Sequence, residues 1–252
     1  MPREAQTLGT VVASGDNAMS READRLNREV FEEAMEVITS AWRDERFRFQ
    51  GRHFQFPPPG IPDRGNEVSH LTLIPRPTRP VEVFQPVTSP ETLAYVARHG
   101  HTGVFANAGP TMVAERWSRF ADEAAAAGRQ LAPGEGRCLQ MVVHVGPLER
   151  ARPGHDELVK FLSPYGRLRW FGEGVPFDFR PSLEETRELG VWALGSVEEV
   201  ADRIGRWAEL LDLHHLVLFT ELPGLTRGEV DEQLHLLATE VLPRAGVTAL
   251  AA

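Results

Sequence analysis

Residues 81–106 have the sequence VEVFQPVTSPETLAYVARHGHTGVFA, which decides the fold class. Val81–Val87 is a short apolar run, Pro90–His99 has helical spacing, and Gly103–Ala106 is a second apolar run. The Ser-Pro pair at 89–90 suits a helix start, because serine caps helices and proline fits the first helical position. A strand, a helix and a second strand in this order predict a parallel sheet with helical crossovers.

The same alternation continues towards the C-terminus. The sequence predicts helices at Thr111–Ala127, Ser196–Leu211 and Thr226–Val241, and the last two open with capping boxes. It predicts strands at Leu139–Val145 and His215–Phe219, which are continuous apolar runs. The fold class is therefore α/β, and the open alternatives are a (β/α) barrel and a doubly wound open sheet. No GxGxxG or GxxxxGK[ST] motif is present, so the nucleotide-binding open sheets lose their main support.

Three further regions have distinct patterns. Residues 20–44 predict one amphipathic helix, because apolar residues recur every three or four positions. Residues 51–80 are rich in Pro and Gly and predict a long loop or insertion, with a short hairpin near His53–Phe56 and Leu71–Ile74. Residues 155–190 predict a helix and an aromatic-rich connection, which lines an apolar pocket or belongs to the core. We expect residues 1–252 to form a single domain.

Composition excludes several classes of protein. The 252 residues carry a formal net charge of −9 with scattered basic residues, which argues against a general nucleic-acid surface. The single cysteine, Cys138, rules out an internal disulfide and a cysteine-based zinc site. No apolar run approaches the roughly 18 residues that cross a membrane. The N-terminus lacks a secretion-signal pattern, so we expect a cytoplasmic protein.

The segment Thr88-Ser89-Pro90-Glu91-Thr92 is the strongest site candidate. In a parallel sheet, function gathers beyond the C-terminal ends of the strands, where this segment is expected to lie. Backbone N–H groups and the helix dipole favour an anion there, and Thr88, Ser89 and Thr92 add hydroxyl groups. From spacing alone, a simple helix cap at Ser89 is the commoner explanation.

The other polar candidates are weaker. Asn107 and Glu221 follow two predicted strands and suit polar contacts in a pocket, although Glu221 equally suits a solvated loop. His99 and His101 flank a turn without a third metal ligand nearby. His144 lies inside a buried strand, where a satisfied core histidine is more common than a catalyst. His214 and His215 precede a strand, at the end of a barrel that serves stability.

The order of several motifs resembles the bacterial-luciferase-like flavin-dependent monooxygenases. That family has a Ser-Arg helix start, an F-E-E-A helix, a tryptophan, an F-x-G-x-x-[FY] turn, a proline-rich strand entry, an S-P-E-T helix start and a G-[ST]-P-E-E-V segment. The matching stretches span residues 2 to about 245. They are Ser20-Arg21-Glu22, Phe31-Glu32-Glu33-Ala34, Trp42, Phe49-Gln50-Gly51-Arg52-His53-Phe54, Pro75-Arg76-Pro77 to Pro80, Gln85-Pro86, Ser89-Pro90-Glu91-Thr92, Leu194-Gly195-Ser196-Val197-Glu198-Glu199-Val200, His215–Phe219 and Val241-Leu242-Pro243.

This resemblance implies a TIM-type (β/α)8 barrel whose flavin phosphate sits at the start of the helix after the fifth strand. Carried over by position, it implies Ser89 and Thr92 as phosphate ligands, with Thr88 adjacent. It also implies reduced flavin (FMN, with a deazaflavin coenzyme as the alternative), molecular oxygen, a small organic substrate and a flavin reductase as partner.

The sequence departs from the family in its strand count. It predicts four strands, where a closed barrel of this type has eight, so only the C-terminal part of the barrel is expected. A misassigned start, a partner chain that completes the barrel and a degenerate relative are all compatible with this. The alternative function is therefore a non-catalytic flavin-binding or partner subunit in a homo- or hetero-oligomer. A metal-dependent barrel hydrolase is a third alternative. Its discriminating feature would be a cluster of His and Asp residues at the strand ends, which the sequence does not show.

Overall fold

The computed structural model describes residues 21–87, 89–106, 108–162 and 179–247. The chain divides into two compact units, Met1–Val81 and Glu82–Ala252. The aromatic residues predicted to lie in the connection at Trp170, Phe171 and Phe177 fall outside the described residues.

The first unit contains one long helix and two small hairpins. Helix α1 spans Arg21–Arg43, as the 20–44 pattern predicts. Strands β1 (Phe49–Gln50) and β2 (Gln55–Phe56) pair antiparallel. Strands β3 (Pro62–Asp63) and β4 (Asn66–Glu67) form the second antiparallel pair.

The hairpin expectation at 51–80 is confirmed in its first part and wrong in its second. Residues 55–56 form a strand, and their partners are residues 49–50 rather than 71–74. Leu71 instead forms an isolated antiparallel bridge with Phe47.

A carboxylate on α1 holds the turn between β1 and β2. Glu33 accepts backbone hydrogen bonds from Arg52 (3.1 Å), His53 (2.8 Å) and Phe54 (2.7 Å). A side chain at Gly51 would collide with Glu33, since an added Cβ would lie 2.1 Å from its Oε1 atom. Glu33 of the F-E-E-A motif therefore binds the backbone of the F-x-G-x-x-F motif, and Gly51 leaves room for its carboxylate.

The second unit is built on a parallel sheet. Its strands are β5 (Phe84–Pro86), β6 (Thr102–Ala106), β7 (Arg137–Val145), β8 (Ala193–Gly195) and β9 (His215–Phe219). The order is β5-β6-β7-β8, with β9 also paired to β7, and every pairing is parallel. The first part of β7 pairs with both β6 and β9, through Cys138–Gln140. The last three residues of β7 extend beyond β9 and pair with β8.

The helices of this unit begin and end at local signals. They are α2 (Pro90–His99), α3 (Pro110–Ala126), α4 (Leu148–Leu162), α5 (Leu183–Glu188), α6 (Val197–Leu211), α7 (Arg227–Leu236), a π-helical turn (Leu237–Val241) and α8 (Leu242–Arg244). Both predicted capping boxes, at Ser196 and Thr226, are confirmed. A third box at Ser182 opens α5.

Helix α4 begins at Leu148, earlier than the predicted 155–190 region. Pro153 lies inside this helix, although an interior proline usually ends or kinks a helix. Gly154 lets α4 approach the loop after β9, because an added Cβ would lie 2.6 Å from the Cβ of Leu222.

The packing of the helices decides between the two architectures. The main core joins residues of α2, α3, α6 and the π-helical turn to one face of the sheet, through alternate residues of β7 such as Leu139, Met141 and Val143. These four elements, which follow β5, β6, β8 and β9 along the chain, therefore cover the same face, whereas a doubly wound sheet divides its crossover helices between both faces. The fold is α/β of the (β/α)8 barrel type, present here as its C-terminal part.

A second cluster lies at the C-terminal end of β7. It joins α4, α5, Trp192 and Leu222 to the sheet through Val142, on the face opposite the main core. Phe179 packs against this cluster, so the one described aromatic residue of the predicted connection contributes to a core.

Candidate functional site

The candidate site is the edge of the sheet at which the parallel strands end. The chain leaves β5 towards Ser89, β7 towards Gly146 and β9 towards Thr220. In barrels these strand-to-helix segments carry the chemistry, because only they can vary without disturbing the packed strands.

Ser89 and Thr92 form a compact pair of hydroxyl groups at the start of α2. The Thr92 backbone N–H donates to Ser89 Oγ at 3.2 Å, and the two side-chain oxygens lie 3.1 Å apart. Only one of the two hydroxyls donates in that contact. The other keeps its hydrogen for a ligand, and the positive end of a ten-residue helix adds a favourable field for an anion.

The capping explanation and the anion-site prediction are compatible at Ser89. Its Oγ atom accepts the cap hydrogen bond through one lone pair, and the contact with Thr92 uses either the second lone pair or the hydroxyl hydrogen, so the other of these two remains for a ligand. Both residues are half-buried and lie beside the strand end, so they are accessible to a small ligand.

The remaining predicted site residues are Thr88, Asn107 and Glu221. Thr88 and Asn107 lie outside the described residues. Glu221 is exposed in the loop after β9. The loop is anchored by its neighbour Leu222, which is 1% exposed.

An open cleft at the end of β7 was not found from the sequence. It has a volume of about 350 Å³ and lies where β7 meets the starts of α6 and α7. Its walls include His144, Arg150, Ser196, Glu229 and Gln233. Arg150 and Glu229 form an ion pair at its rim.

His144 differs from the expectation of a satisfied core histidine. It is 3% exposed, and neither ring nitrogen makes a hydrogen bond of good geometry within the described residues, although the Pro147 backbone lies close enough to affect the ring. Burial lowers the pKa of His144, and the charge of Arg150 adds to this, while the Pro147 backbone and Glu229 oppose it. The imidazole is therefore neutral at neutral pH, and His144 lines the cleft.

His99 and His101 make structural contacts. The Nδ1 atom of His101 lies 3.2 Å from Oε1 of Gln85, and both side chains are buried. His99 stacks on Tyr95 with ring centroids 4.1 Å apart. Across the described ranges, no group of three or more His, Cys, Asp or Glu residues is arranged to hold a metal ion.

A polar layer lies on the face of the sheet opposite the main core, near the starts of the strands. Thr102 donates to Glu82 at 2.7 Å, and His215 Nε2 lies 3.7 Å from the same carboxylate. Phe84 contacts the His215 ring edge to face, at 5.5 Å between centroids. His215 therefore lies at the stability end, as the sequence predicts.

Cys138 belongs to the same end of the sheet. Burial raises the pKa of the Cys138 thiol to about 11, and the negative charge of Glu82 adds to the increase. The thiol is therefore protonated at neutral pH and unsuited to nucleophilic catalysis.

The comparison with known sequences matches this arrangement to one family. The sequence model described as "Luciferase-like monooxygenase" matches residues 8–214. The chain belongs to the luciferase-like monooxygenase family. Among proteins of curated function, no sequence matches significantly.

Solved structures of luciferase-like type share the fold at low sequence identity. The FMN-bound oxygenating constituent of 3,6-diketocamphane monooxygenase from Pseudomonas putida is 14% identical, with a TM-score of 0.65. The match covers 100% of this chain and 70% of that one. EDTA monooxygenase from Chelativorans sp. BNC1 is 18% identical with a TM-score of 0.57, over 99% of this chain and 66% of that one.

A third structure of this kind was solved with a different cofactor. An F420-dependent secondary alcohol dehydrogenase, in complex with an F420-acetone adduct, is 17% identical with a TM-score of 0.56. The match covers 88% of this chain and 62% of that one. The luciferase-like chain described here thus spans 62–70% of the length of these three structures. No helix among its described residues is long and apolar enough to span a membrane.

Proposed function

We propose that this chain carries the flavin-phosphate end of a flavin-dependent monooxygenase, which uses reduced flavin and O2 on an organic substrate. The observation that supports this most directly is the pair of hydroxyls at Ser89 and Thr92, 3.1 Å apart at a helix start beside a strand end. FMN is the proposed cofactor, and a deazaflavin coenzyme, which also carries a phosphate, is the alternative.

The residues present fit the phosphate end of such a cofactor. One hydroxyl hydrogen of the pair is available to a phosphate oxygen, and the helix dipole favours the negative charge. When bound, the reduced flavin supplies the electrons for oxygen chemistry, while the protein binds and orients it and excludes water. Thr88, Asn107 and Glu221 are proposed as further polar contacts of the cofactor pocket, and a flavin reductase as the source of reduced flavin.

Comparing FMN with riboflavin tests the phosphate site, because the two flavins differ only in the phosphate. We expect the chain to bind FMN at least about tenfold more tightly than riboflavin, since hydrogen bonds to charged groups contribute about 1.5–3 kcal/mol each. The double variant Ser89→Ala with Thr92→Ala should lose this preference while keeping its affinity for riboflavin. Quenching of flavin fluorescence measures both affinities.

Ser182→Ala is the matched control, because it removes the same kind of helix cap at α5. It should leave both affinities unchanged. An unchanged preference for FMN in the double variant would refute the assignment. If reduced FMN binds but reacts with oxygen as it does free in solution, the chain is the non-catalytic flavin-binding or partner subunit.

A further inference from the structure

The cleft at the end of β7 is separate from the proposed flavin-phosphate site. Every residue of its wall is described, and none belongs to the segment 88–92. The wall comes from the end of β7, the starts of α4 and α6, and one face of α7. Its volume of about 350 Å³ lies at the lower end of the range for small-molecule sites.

Part of the cleft wall is apolar. Val145 belongs to the main core, and Val197 and Leu236 pack against that core. Leu225 and Pro147 complete the apolar part of the wall. A ligand with an apolar body would therefore remove apolar surface from water on both sides when it binds.

His144 contributes a buried hydrogen-bond acceptor to the wall. Its ring is neutral, so one ring nitrogen carries a hydrogen and the other accepts. Proline has no N–H, so the Pro147 backbone group that acts on the ring is a carbonyl, which favours the hydrogen on the nitrogen facing it. The second nitrogen is then an acceptor without a partner of good geometry among the described residues. Burying such a group without a partner is costly, which favours a ligand that donates a hydrogen bond.

The charges of the wall favour a cation over an anion. Arg150 is paired with Glu229, whereas Glu232 forms no ion pair within the described residues. The starts of α6 and α7 do not attract a further anion, because the glutamate of each capping box already places its negative charge there. Glu232 lies about one turn from Glu229 on the same face of α7, and its charge remains unbalanced.

We propose that this cleft binds a small organic amine, with its ammonium group held by Glu232 and the acceptor nitrogen of His144. The apolar body of the amine would lie against Val145, Val197 and Leu236. An ammonium group carries a positive charge and three hydrogen-bond donors, so it suits a carboxylate and an imidazole acceptor together. This second ligand site does not rest on the proposed function.

Hexylamine, hexanol and hexanoate test the site, because they share an apolar chain and differ in the charge of the head group. The amine is a cation at neutral pH, and the carboxylate is an anion. We expect hexylamine to bind about threefold more tightly than hexanol, as is typical of one exposed charge, and hexanoate to bind most weakly. Titration of the 252-residue chain without flavin, followed by NMR, measures the affinities. The amide signals of Gly146, Val197 and Glu232 should shift on binding.

Two variants separate the contributions of charge and hydrogen bonding. Glu232→Gln should lower the affinity for hexylamine to that for hexanol and leave the affinity for hexanol unchanged. His144→Phe keeps an aromatic ring without an acceptor, so it should weaken hexylamine and hexanol alike, by about threefold or more. Glu209→Gln is the matched control, because this exposed glutamate lies about 18 Å along α6 from its start. It should leave all three affinities unchanged.

The contrary results are equally distinct. Failure of hexylamine to bind at millimolar concentration, or shifts confined to other parts of the chain, overturns the site. Equal affinities for the three compounds, or tighter binding of hexanoate, overturns the preference for a cation. A preference for hexylamine that Glu232→Gln leaves intact places the amine elsewhere. If circular dichroism shows that His144→Phe is unfolded, the comparison of Glu232→Gln with Glu209→Gln decides, since both changes are at exposed positions.

Discussion

Single side chains in this protein show how burial changes chemistry without a change of residue type. Cys138, His101 and His144 are all buried. Burial raises the pKa of Cys138 and lowers the pKa of His101 and of His144, so it favours the neutral form of each side chain. For His101 the causes are burial first, and then the charges of His99 and Arg129. A histidine pattern in a sequence does not reveal these shifts, because they depend on what surrounds the ring.

The two buried histidines predict that acid destabilises the fold. Their folded pKa values lie below the ordinary 6.5, so the unfolded chain binds more protons than the folded chain once the pH drops below 6.5. These two groups should therefore leave the free energy of unfolding unchanged above pH 6.5. Below pH 6.5 they should lower the free energy of unfolding as the pH decreases. Urea unfolding across this range measures the effect.

Replacing His144 by Gln should flatten this pH dependence, while replacing the exposed His235 by Gln should not. A double variant of His101 and His144 that retains the full acid sensitivity would contradict the assignment to these two groups.

At the scale of elements, two side chains connect segments that are distant in sequence. Glu33 on α1 holds the turn at 52–54, and Gln233 on α7 joins β7. The Gln233 side chain accepts from the Val145 N–H at 2.7 Å and donates to the Val145 carbonyl at 2.8 Å. Its amide thereby satisfies both backbone groups of Val145, as a neighbouring strand would.

Gln233→Leu should destabilise the protein by about 2–6 kcal/mol, because it leaves two buried backbone groups without partners, at about 1–3 kcal/mol each. Chemical unfolding measures this. Glu232→Leu, one residue earlier on the exposed side of α7, should change stability by less than about 0.5 kcal/mol. Equal effects of the two changes would show that the Val145 contacts contribute nothing specific.

Glu33→Ala should free the turn between β1 and β2. The Glu33 pKa is lowered because three backbone hydrogen bonds outweigh the opposing effect of desolvation, so the ionised form is the one that holds the turn. Hydrogen exchange should accelerate at the amides of Arg52, His53 and Phe54 and stay unchanged in α6. The neighbouring Glu32→Ala serves as control, and protection that survives in Glu33→Ala would show that the hairpin is stable without the carboxylate.

At the scale of the whole molecule, features set by neighbouring residues were predictable from the sequence, and features set by contacts between distant residues were not. The bounds of α2 and β9 follow from Ser89, Pro90 and an uninterrupted apolar run, all of which act within a few residues. Helix α4 begins at Leu148 and continues through Pro153, so a local signal that usually ends or kinks a helix is overridden there. The shared face on which α2, α3, α6 and the π-helical turn pack, the Glu33 turn and the cleft beside His144 depend on residues far apart in sequence, so no local pattern could predict them.

The inward-facing thiol of Cys138 has a practical consequence for spectroscopy. Because it stays protonated and shielded, a maleimide dye or nitroxide added at neutral pH would leave it untouched. Any cysteine introduced on an exposed helix would then carry the probe alone. Two such introduced cysteines would report one intramolecular distance in the otherwise native sequence.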